Sequence, residues 1–61
     1  MTEIDIKGMD ARIKALKKSA EELRKMAEDF PAVYRNTSRV LASIKMLELN
    51  LSDMVDQGIL P

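Results

Sequence analysis

The side chains best equipped for chemistry in this chain are its acids. Glu21-Glu22 and Glu28-Asp29 are adjacent carboxylates, and Glu21 and Glu28, seven residues apart, share one face if the segment is helical. Such pairs can divide acid and base roles or hold a hard cation. Here Lys17, Lys18, Arg24 and Lys25 stand three or four residues from them, the spacing at which opposite charges pair along a helix. The acids therefore read as a solvated, charge-paired face. Ser52 and Asp56 lie four apart, but the chain has no His to activate a hydroxyl and no Cys to replace it. Imidazole acid–base work, thiol chemistry, zinc ribbons and disulfide frameworks are all excluded. Neither an enzyme nor a bound cofactor or metal is expected.

The basic residues suggest a different chemistry. Arg12, Lys14, Lys17 and Lys18 form a run, and Arg35, Arg39 and Lys45 follow with no acid between residues 30 and 47. If the chain folds back near Pro31, Lys45 comes opposite residues 15–18. Arg12, Lys14, Lys17, Lys18 and Lys45 then make a candidate phosphate-binding band across the middle. Against it stand ten basic and ten acidic side chains, a formal net charge of zero, and only one Tyr, one Phe and no Trp for base stacking. Nucleic acid is the second choice of partner.

The elements that must carry these groups are helices. Ile6, Met9, Ile13, Leu16, Ala20, Leu23, Ala27 and Phe30 alternate spacings of three and four without a miss. Val33, Thr37, Val40, Ile44, Leu47, Leu51 and Met54 repeat the alternation in another phase. The phase jump coincides with Pro31, which cannot continue a helix but suits the first turn of a new one. The expectation is a single all-α domain over residues 1–61, an antiparallel helical hairpin. Helix one covers about 3–29, the turn about 29–31 and helix two about 31–57. Asn36, Thr37 or Ser38 would cap a later start of helix two. Thr2 with Asp5, or Asp10, would cap helix one, and Gly58 would end helix two in a left-handed cap with Ile59 folding back on Met54.

One hairpin has a single seam and no enclosed core, so a partner is expected. Beside its seam, helix two carries a second apolar stripe of Tyr34, Leu41 and Val55, interrupted by Glu48 and widened by Met46 and Leu49. Burying this stripe on a second hairpin would make a dimeric four-helix bundle. Asn36, Ser43, Asn50 and Gln57 recur every seven residues beside the seam, as a half-solvated row or as an interface row that fixes register. The expected role is that of an assembly subunit, adaptor or regulator working through helix–helix contacts, a homo-oligomer with room for another protein partner. A regulator docking on a signalling helix pair through helix two is the third choice. No apolar run approaches the roughly 20 residues of a membrane span, and the start lacks the basic and apolar regions of a leader, so the expected location is cytoplasmic, with no membrane partner.

Overall fold

A computed structural model describes residues 5–56, and the surroundings of side chains up to residue 53. The described chain is all-helical: α1 spans Ile6–Met26 and α2 spans Pro31–Asp56. The two helices pack against each other as an elongated hairpin of 44 × 18 × 16 Å. Among the described residues no helix is long and apolar enough to cross a membrane.

Local chemistry sets the ends. Asp5 is the N-cap of α1, its carboxylate accepting a hydrogen bond of 2.8 Å from the backbone N–H of Gly8. A Cβ on residue 8 would collide with that carboxylate, so the glycine gives the cap its room. Asp10, the other candidate cap, lies inside the helix and pairs instead with Lys14. Thr2, Gly58 and Ile59 lie outside the described residues.

Helix one ends three residues before the expected boundary. Ala27 closes it at φ −98° and ψ 19°, in the right-handed region, with its N–H shared between the carbonyls of Leu23 and Arg24. The Phe30 N–H then donates to the Ala27 carbonyl at 2.9 Å, and the Phe30 carbonyl accepts from the Tyr34 N–H at 2.9 Å. One β-turn thus leads straight into α2, and Ala27 needs no glycine to end the helix. Pro31 opens α2, where its missing N–H would have had no helical partner. The later start near Asn36 is not used. Instead, the Thr37 hydroxyl donates to the Val33 carbonyl and that of Ser38 to the Tyr34 carbonyl, within a helix already under way.

The seam runs along one central row on each helix. Ile13, Ala20 and Ala27 face Thr37 and Ile44, all five buried, with Ile6 and Leu51 half-buried towards the far end. Thr37 fits this apolar line because its hydroxyl is satisfied by its own helix. Among the described residues no side chain is fully enclosed. Two helices bring together only one stripe each, which covers residues from one side.

The alternating series are divided by the fold. Half their members form the seam, as expected. Of the others with described side chains, Val33 is half-buried and Met9, Leu16, Leu23, Phe30, Val40 and Leu47 are exposed, from 39% for Met9 to 61% for Phe30. Each lies about 50° round its helix from the central row, and the flank they occupy is uncovered.

Candidate interaction face

The hairpin has two unlike long flanks. On one, the rows beside the seam are Asp10, Lys17 and Arg24 from α1, and Tyr34, Leu41 and Glu48 from α2. Lys17 Nζ lies 3.7 Å from a Glu48 carboxylate oxygen across the seam, and the Arg24 guanidinium lies over the Tyr34 ring, 6.0 Å from its centroid. Long amphipathic stems flank the contact line here while their charged heads stay in water. This flank is bordered by charged side chains, with Tyr34 still 43% exposed among them.

The opposite flank is open and apolar. Met9, Leu16 and Leu23 line it on α1, Phe30 in the connection, and Val33, Val40 and Leu47 on α2. Only Val33 of these is half-buried. Between the rows runs a groove of about 260 Å³, walled by Leu16, Ser19, Leu23 and Val40 and floored by Ala20 and Thr37. The small floor residues let the helices approach closely near the turn, and their size makes the groove. The rows one step further out are Arg12, Ser19 and Met26 on α1, and Asn36, Ser43 and Asn50 on α2. Within α1 and α2 the charged side chain of these four rows is Arg12, and Asp5 and Asp29 continue two of the rows just outside the helices. The Asn/Ser row therefore borders the open face as an uncharged polar rim.

Of the five residues expected to form an oligomer interface, the four whose side chains are described do not share a face. Leu41 is half-buried, packed against Ile13, Ala20 and Ile44, and is not the free surface that the sequence suggested. It sits on the charged flank, where Lys17–Glu48 and Arg24–Tyr34 flank it. Tyr34, 43% exposed, stands on the same flank under Arg24. Met46 and Leu49 are exposed on the outer side of α2, away from α1. The side chain of Val55 lies outside the described residues.

The candidate phosphate-binding residues are also dispersed. Lys14 is held 2.8 Å from Asp10 on its own helix, and this hydrogen bond, with the nearby negative charge, raises its pKa above the ordinary 10.5. Lys17 reaches Glu48. Lys45 lies towards the same flank on α2 and Lys18 on the outside of α1, whereas Arg12 borders the open face. Acids interrupt the band at Asp10 and Glu48. Glu21 and Glu28 line a shallow polar hollow of about 340 Å³ beside the turn, shared with Arg24, Lys25 and Tyr34. Cations already stand among these carboxylates, and no group of three or more potential metal ligands occurs among the described residues.

The open face could have been found from the sequence by sorting charges by heptad row. The two inner rows of the charged flank carry Asp10, Lys17, Arg24 and Glu48, while the corresponding rows of the open flank carry no charge at all. Comparison with protein-family models, with curated proteins and with solved structures gave no match.

Proposed function

We propose that this chain is a small non-catalytic association module that self-associates through its open apolar face, two hairpins closing into a four-helix bundle. In this role it serves as an assembly subunit or adaptor through helix–helix contacts. The observation that carries the reading is the pair of apolar rows, Met9–Leu16–Leu23–Phe30 and Val33–Val40–Leu47, all exposed but the half-buried Val33, on one side of a hairpin whose other side is bordered by charged stems. Contiguous apolar surface of this kind on a small chain marks an interaction site. A groove floored by Ala20 and Thr37 gives that surface relief to receive side chains. Sedimentation equilibrium at micromolar concentration tests it. A species of twice 6.9 kDa is expected, and a single-chain mass with cooperative unfolding would overturn it.

A further inference from the structure

We draw no further inference here: the strongest candidate, the groove and exposed apolar rows on the open flank of the hairpin, belongs to the association reading already proposed, and nothing in the structure shows by what or in which orientation it is covered.

Discussion

Leu16 and Val40 stand on different helices at opposite rims of one groove, and about half of each is exposed, 53% and 49%. Neither helix covers the other's rim residue, because the contact line runs one row away, through Ala20 and Thr37. The surface between them belongs to the hairpin as a whole, and it is the surface on which the proposed association depends.

Leu16→Asp should therefore weaken self-association by about 10-fold or more. Burying the exposed half of one Leu contributes about 0.8–1.5 kcal/mol, and a symmetric dimer loses that twice. The monomer should remain helical, since the residue is already half in water. Met46→Asp and Leu49→Asp, on the outer side of α2, should change association by less than about threefold. Sedimentation equilibrium on the three variants checks the assignment of the face. A dimer indifferent to Leu16→Asp but lost with Met46→Asp would move the interface to the outer side of α2.

The narrow end of the seam makes a second prediction, about stability. Ala20 and Thr37 are 7% and 4% exposed and set the close approach of the helices near the turn. Ala20→Leu forces extra bulk between them and should cost about 1–3 kcal/mol, or roughly 4–8 °C in Tm for each kcal/mol in a domain of this size. Thr37→Val keeps the shape and removes a hydroxyl that bonds only within its own helix. That change should stay within about 1 kcal/mol. Thermal melts at one fixed chain concentration compare them, because association raises Tm by mass action.

A third prediction concerns sign. Asp5→Ala removes the cap on the Gly8 N–H and should cost about 1 kcal/mol. Gly8→Ala gains about 1 kcal/mol of helix propensity but drives a Cβ into the Asp5 carboxylate. Alone it should be near neutral. In the Asp5→Ala background, with nothing left to displace, it should stabilise by about 1 kcal/mol. Strict additivity in this double-mutant cycle would refute the coupling.

The sequence made the hairpin legible and its faces only partly so. Pro31 and the phase jump located the break, because proline stereochemistry acts locally. The central rows, Ile13–Ala20–Ala27 and Thr37–Ile44, were members of the alternating series and do form the seam. What stayed hidden was which flanking row each helix turns towards its neighbour. Apolar periodicity picks out Met9–Leu16–Leu23, yet the hairpin seats Lys17, Arg24 and Glu48 beside its contact line and leaves the leucines outside. Amphipathic stems flank a two-helix seam as well as leucines do, since only their carbon chains lie against it. The same substitution of roles explains why Leu41, read as free surface, is packed against Ile13 and Ile44.

The raised pKa of Lys14 fixes the direction of one pH effect. Its hydrogen bond and attraction to Asp10 favour the charged form, so the folded pKa lies above the unfolded one. The contribution to stability is then fully present below the ordinary value of 10.5 and is lost as pH rises through the higher folded value. An NMR titration of the Lys14 side chain should show a midpoint above 10.5 that falls towards it in Asp10→Asn. An unchanged midpoint in that variant would show that the pair does not persist in solution.

The last prediction separates association from phosphate binding. Lys14, Lys17 and Lys18 were candidates for a nucleic-acid band, but Lys14 is paired with Asp10 and Lys17 with Glu48, and Lys18 points to another side of α1. Changing all three to Gln should leave the dimer within about threefold, since exposed ion pairs contribute about 0–1 kcal/mol. Binding of duplex RNA or DNA at physiological salt should be weak before and after. If the band does neutralise phosphates, affinity will instead fall by about 0.9 log units per log unit of salt for each phosphate contacted. The triple variant will then flatten that slope while its helicity and mass stay unchanged. Salt-dependent binding tighter than micromolar, abolished by the three Gln changes, would assign the chain to nucleic acid. Under that outcome Leu16→Asp would still be expected to break the dimer, so the two measurements together identify which surface carries the function.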